Sequence, residues 1–135
     1  VFEDVCFEFG VGGENKKNSS SWILAKWKDK ITVRSWGKYK VLSEVEDGVK
    51  VKELIIDPYS SLSMQKHKYR NEIWFVAKGS GKIKSEHDIL DLELFNEYFV
   101  KQGSWHQLIN HTSEPLHIVE IQYGEKCIEE DIIRL

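Results

Sequence analysis

Proline is scarce in this chain of 135 residues: there are two, Pro58 and Pro115, and both fit turns. Cysteine is equally scarce, with Cys6 and Cys127 near opposite ends. One bridge between them is conceivable, but two isolated cysteines make no disulfide framework and fit a reducing compartment better. No apolar run approaches the length of a membrane span, which argues against a membrane protein. No signal-peptide pattern is visible, so a cytoplasmic location is expected. The sequence opens on Val1 rather than Met, and a trimmed, processed or fragmentary chain is expected. The formal net charge is only -3, and there is neither a basic stripe nor an acidic block. Nucleic acid is therefore not an expected partner. No segment sustains a long 3.6-residue apolar period, which excludes a helical bundle. There is no obvious internal repeat.

What is present is the balance of an ordinary globular domain, with 41% hydrophobic and 30% charged residues. The length predicts one domain with a real core. Short β-rich runs recur: "ITVRSW", "KYKVLSEV", "VKVKELII", "EIWFVAKG", "GKIKSE", "DILDLEL", "EYFVKQG", "HQLINH" and "LHIVEIQYG". Turn signals separate them, among them "EDG" at Glu46–Gly48, "DPYSS" at Asp57–Ser61, "GSG" at Gly79–Gly81 and "TSEP" at Thr112–Pro115. Strands at this spacing predict an all-β barrel or sandwich. The first thirty residues differ. "VFEDVCFEFG" alternates like a strand, "VGGENKKNSSS" reads as an exposed loop and "WILAKWKDK" as a further strand. Residues 1–33 are read as a β extension that packs on the barrel or on a partner subunit, and residues 34–135 as the main domain. An exposed sheet edge makes a homodimer the expected assembly.

The stretch "LSMQKHKYRNEIWFV", Leu62 to Val76, turns from polar to apolar at Ile73. It is either a solvated rim or a set of ligands aimed into a cavity. Gln65 and His67 lie two apart, so an extended backbone would point them to the same face. Glu72 opens the next strand and reaches the same point if the two strands pair. Tyr69 and Arg70 would then lie at the pocket mouth. His106 in "GSWHQLIN" is the best source of a further group. Two imidazoles, a carboxylate and an amide oxygen could hold a divalent ion, and this mixed set discriminates poorly among metals. His87, His111 and His117 are read as surface or rim residues. Glu120 and Gln122 alternate in phase along "HIVEIQ", facing either the barrel interior or a solvated sheet face.

The joint spacing resembles the two motifs of the cupin superfamily. Tyr59 stands at the opening Gly of the first motif. Gln65 and His67 fill His-x-His, four residues lead to Glu72, and six more lead to Gly79. In the second motif Lys101 stands where Pro is usual, and Gly103, His106 and Asn110 follow in register. Within that superfamily the chain resembles the C-terminal domain of type II mannose-6-phosphate isomerases, often fused behind a mannose-1-phosphate guanylyltransferase. "RSWGKYKVL", "VKVKELIIDP", "LSMQKHKYRNEIWFVAKGSGKI" and "VEIQYGEKCIEEDIIRL" are similar to that family's motifs, in order, from Arg34 to Leu135. Gln is usual there in the first ligand place. Tyr69 and Ile73 replace family histidines, and no nucleotidyltransferase signature is present.

The resemblance implies a double-stranded β-helix, or jelly-roll barrel. It implies a metal held by Gln65, His67, Glu72 and His106, with Zn first and Mn, Fe, Ni or Co as alternatives. The implied reaction interconverts mannose 6-phosphate and fructose 6-phosphate. Glu120 and Arg70 are the candidate catalytic residues, and Lys52, Arg70, Gln122 and Arg134 the candidate substrate contacts. The alternatives are a non-catalytic metal- or sugar-binding barrel, or an enzyme acting on another small sugar.

Overall fold

A computed structural model of the chain describes residues 31–45 and 48–135. The readings of Val1–Lys30, Cys6 among them, lie outside the described residues. A compact unit spans Thr32–Leu135.

Every regular element among the described residues is a strand. In order they are β1 (Ile31–Arg34), β2 (Gly37–Val45), β3 (Val49–Ile56), β4 (Gln65–Lys66), β5 (Arg70–Lys78) and β6 (Gly81–Ser85). They continue with β7 (Ile89–Leu92), β8 (Glu97–Val100), β9 (His106–Ile109), β10 (Leu116–Gly124) and β11 (Ile133–Arg134). No helix there is long and apolar enough to cross a membrane. Each β-rich run of the sequence supplies one strand, and only the two-residue β4 and β11 are additions. The strands form two antiparallel sheets, ordered β1-β2-β3-β10-β5-β8 and β11-β4-β9-β6-β7. This is an all-β architecture of the kind the strand spacing predicted, in the jelly-roll form that the resemblance implied.

Alternation along three long strands fills the interior. Along β10, Leu116, Ile118, Glu120 and Gln122 are buried while the residues between them are half-buried. Lys52, Leu54 and Ile56 do the same on β3, and Arg70, Glu72, Trp74 and Val76 on β5. The antiparallel register aligns these sets. Ile118 lies opposite Leu54 and Val76, and Glu120 lies opposite Lys52 and Trp74. The interior is therefore graded along its length. One end is packed with Ile56, Val76, Leu108, Leu116 and Ile118, all at most 1% exposed. The other end carries the charged and polar side chains.

The packed end is closed by turns whose polar groups are paired. Asn110 is buried, and its amide donates to the carbonyls of Ile56, Asp57 and Glu114 while its oxygen accepts from Thr112. "GSG" carries the chain from β5 in one sheet to β6 in the other. Gly79 does so at φ +84, and a Cβ there would sit 2.6 Å from the Pro115 carbonyl oxygen. Only glycine meets both conditions without strain.

Candidate metal and sugar-binding site

At the polar end the interior opens into a cavity of about 260 Å³, lined by every candidate site residue named from the sequence and also by Arg34, Trp36, Tyr39 and Glu129. This volume lies just under the roughly 300–1,000 Å³ usual for small-molecule pockets.

His67, Glu72 and His106 come together: one ligand atom from each lies within 4.8 Å of the others, and all three side chains are buried. The backbone fixes both imidazoles. His67 Nδ1 is 2.7 Å from the Asp131 carbonyl, and His106 Nδ1 is 2.9 Å from the Ser104 carbonyl. A carbonyl only accepts, so each Nδ1 carries the proton and each Nε2 is left with a lone pair. Burial, reinforced by the charge of Arg70, holds His67 down at about 4. Burial lowers His106 as well. Both rings are thus neutral near pH 7. His67 Nε2 stands 3.1 Å from Glu72 Oε2, and His106 Nε2 stands 3.8 Å from Oε1. Lone pairs and a carboxylate converging on one point make a donor set that suits a divalent cation.

The route to this geometry differs from the sequence expectation in four places. Strand β4 ends at Lys66, so His67 does not share a continuous strand with Gln65. The Asp131 carboxylate accepts from the backbone N–H of Lys68 (2.8 Å) and Tyr69 (2.9 Å), which removes those donors from any ladder. Strands β4 and β5 do not pair either; they lie in different sheets. Glu72 meets the histidines across the barrel interior rather than along one sheet. Arg70 is not at a mouth: it is 3% exposed because it shares the inward phase of Glu72 and Trp74. Tyr69 lies outside the cavity lining, its ring flanked by Lys68 and Lys126.

Gln65 lines the cavity from β4, opposite His106 in register, with its amide nitrogen 3.5 Å from the Ser63 carbonyl. Arg134, paired with Gln65 across β11, is exposed at the rim. Arg70 is committed: Nε donates to Glu72 Oε2 at 3.0 Å, and Nη1 donates to the Ile128 carbonyl at 3.0 Å. Lys52 is 4% exposed and donates to Glu129.

Glu120 and Gln122 face inward. The Trp74 indole N–H is shared between Glu72 Oε1 (3.0 Å) and Glu120 Oε2 (3.1 Å). The other Glu120 oxygen accepts from Gln122 at 2.7 Å. Burial, and then the charge of Glu72, lifts Glu120 to about 7. Among the described residues Gln122 Oε1 is buried without a hydrogen-bond partner, and such an acceptor is costly unless a ligand or water satisfies it. Trp74, Asp131 and Glu129 were not assigned to the site from sequence. Trp74 reads as plain core in "IWFV", and the two acids sit in a polar ending.

A two-sheet jelly roll with two imidazoles and a carboxylate converging in its interior cavity has the form of a cupin. In this class falls a structural neighbour, a cupin 2 conserved barrel domain protein from Salinispora arenicola CNS-205. It is 17% identical with a TM-score of 0.62, covering 72% of this chain and 83% of that one. More particularly, a family described as mannose-6-phosphate isomerase C-terminal matches residues 24–135, and the chain belongs to it. The xanthan biosynthesis protein XanB of Xanthomonas campestris pv. campestris is 31% identical over 110 residues, covering 82% of this chain and 23% of the relative. A mannose-1-phosphate guanylyltransferase of Escherichia coli (strain K12) is 33% identical over 101 residues, covering 75% and 21%. The chain therefore spans about a fifth to a quarter of the length of these curated relatives.

Proposed function

We propose that this barrel binds a divalent metal and isomerises a sugar phosphate, interconverting mannose 6-phosphate and fructose 6-phosphate. The observation that carries the reading is the pair of neutral imidazoles turned on the Glu72 carboxylate, beside a second carboxyl, Glu120, poised near neutrality. His67, Glu72 and His106 would hold the ion, with Gln65 as the fourth ligand and Zn the first choice ahead of Mn, Fe, Ni or Co. Once bound, such an ion polarises the sugar oxygens.

The remaining work falls to the chain's own groups. Aldose–ketose exchange moves a proton between C2 and C1, and a carboxyl at about 7 can take and return it near neutral pH. Trp74 and Gln122 hold the two Glu120 oxygens in place. The Arg70 Nη2, whose nearest partner is His67 Nε2 at 3.5 Å, would stabilise charge developing on the sugar oxygens. The open Gln122 Oε1 suits a sugar hydroxyl, and Lys52 and Arg134 supply cations for the phosphate. We also propose a homodimer, supported by the exposed Phe75, Phe95 and Phe99 around edge strand β8.

One observation favours a second reading. Arg70 satisfies Glu72 Oε2 at 3.0 Å and approaches His67 Nε2 at 3.5 Å, so the site is partly compensated without an ion. A non-catalytic sugar-binding barrel would need no more. Conversion of mannose 6-phosphate, assayed with added divalent ions and with chelator, separates the two. Metal-dependent turnover supports the isomerase; bound metal without turnover refutes it.

A further inference from the structure

The one lysine that lines the cavity among the described residues, Lys52, is already occupied by the chain's own carboxylate. Lys52 is 4% exposed, and an ammonium so placed must be paired. Its partner is Glu129, which comes from the segment between β10 and β11 rather than from a neighbouring strand. The same Glu129 oxygen lies 3.6 Å from Nζ of Lys50, which stands behind Glu129 outside the cavity lining, and the other accepts from the Tyr39 hydroxyl at 3.5 Å. Lys52 also lies over the Tyr39 ring, 4.3 Å from its centroid. Burial alone would raise the Glu129 carboxyl, but the charges of Lys52 and Lys50 outweigh it and hold the group below the usual carboxylate range.

The two sides of this contact differ in freedom. Glu129 is 41% exposed and can turn to water, whereas the lysine side chains, at 4% and 11%, cannot. Charge is also unequal, since two ammoniums share one carboxylate; the further carboxylate of Glu44, 4.0 Å from Lys50, is half-exposed at the edge. A phosphate monoester carries about 1.5 to 2 negative charges near pH 7 and three acceptor oxygens. It matches two ammoniums and a phenol better than a single carboxylate does.

We infer that Lys50, Lys52 and Tyr39 form an anion subsite for the ligand's phosphate, in which Glu129 stands until the phosphate displaces it. The inference rests on the reading that the ligand is a sugar phosphate. It deepens that reading by placing the phosphate on the β3 wall, where Lys52 lies opposite Glu120 in register. It also gives Glu129 a role in selectivity: a neutral sugar cannot repay the lost Lys52 pair, so neutral sugars are disfavoured.

Titration calorimetry with inorganic phosphate on the wild-type chain and on Glu129→Gln tests it. Gln keeps the shape and the Tyr39 contact but removes the competing charge. The variant is expected to bind phosphate roughly fivefold to tenfold more tightly, the loss of one charge-assisted competitor. Adding Lys50→Gln is expected to cancel most of that gain. Equal or weaker binding by Glu129→Gln, or no binding by either protein, overturns the inference. Glu129→Ala, a second variant at this half-exposed position, must show the same sign. Mannose 6-phosphate turnover is read separately. Tighter phosphate binding without turnover leaves the subsite standing and removes the isomerase; turnover without the gain in affinity does the reverse.

Discussion

Replacing Glu120 with Gln should change how stability depends on pH, in a direction set by two buried groups of opposite habit. His67 falls from 6.5 to about 4 on folding, and Glu120 rises from 4.5 to about 7. A lowered imidazole contributes stability that is complete above pH 6.5 and is lost as the pH falls toward 4. A raised carboxyl contributes stability that is complete below pH 4.5 and is lost as the pH rises through 7. Between 4.5 and 6.5 the fold releases one proton from His67 and takes one up at Glu120, so the two slopes oppose each other. Each slope is worth about 1.4 kcal/mol per pH unit. Glu120→Gln removes one of them. The stability difference, variant minus wild type, should therefore grow by up to about 3 kcal/mol between pH 4.5 and 7. Any fixed cost of the new amide drops out of this pH dependence, and so do groups that titrate alike in both proteins. The fixed cost is modest in any case, because the unpartnered Gln122 Oε1 can accept from the Gln introduced at 120 once the Gln122 amide turns over. Urea unfolding of both proteins in chelator, at half-unit steps across that range, measures it. A difference that stays constant with pH would refute the assignment of a raised carboxyl at Glu120.

On the proposed metal site, His106→Ala should reduce the metal content of purified protein to background, because it removes one of the three converging donor groups; unchanged content would refute the site. Asp131→Ala strips the acceptor from the Lys68 and Tyr69 amides and should cost about 2–4 kcal/mol of unfolding free energy. Metal affinity should fall with it by about tenfold to a hundredfold, because these two hydrogen bonds hold the backbone that follows His67. If neither the urea midpoint nor the metal titration moves, the Asp131 carboxylate does not hold the backbone that follows His67 in place.

Where a residue's neighbours lie along its own strand, the sequence was a good guide. The phase of Leu116, Ile118, Glu120 and Gln122 is written in two-residue alternation, and all four face inward. The spacing from His67 to Glu72 and the motif around His106 identified three side chains that do converge. What alternation cannot report is which sheet a strand joins: Glu72 reaches the histidines with β4 and β5 in different sheets, and not through the pairing of those strands on which the sequence expectation was conditional. The ending "EEDIIRL" was harder still. Glu129 and Asp131 look like a solvated acidic run because their partners, Lys52 and the amides of Lys68 and Tyr69, lie 77, 63 and 62 residues away. Trp74 hid for another reason: its ring belongs to the core while its N–H belongs to the site.

The graded interior has a consequence for how such a barrel can change over time. On β3, β5 and β10 the packed positions (Ile56, Val76, Leu116 and Ile118) and the cavity positions (Lys52, Arg70, Glu72, Glu120 and Gln122) lie in one phase but at opposite ends, with Leu54 and Trp74 between them. Substitutions at the open end can alter what is bound while leaving the packed layer below untouched. A one-residue insertion ahead of Leu116 would instead turn Leu116, Ile118, Glu120 and Gln122 outward together. Such a barrel is free to vary by replacement at its mouth and is closed to variation by slippage along its strands.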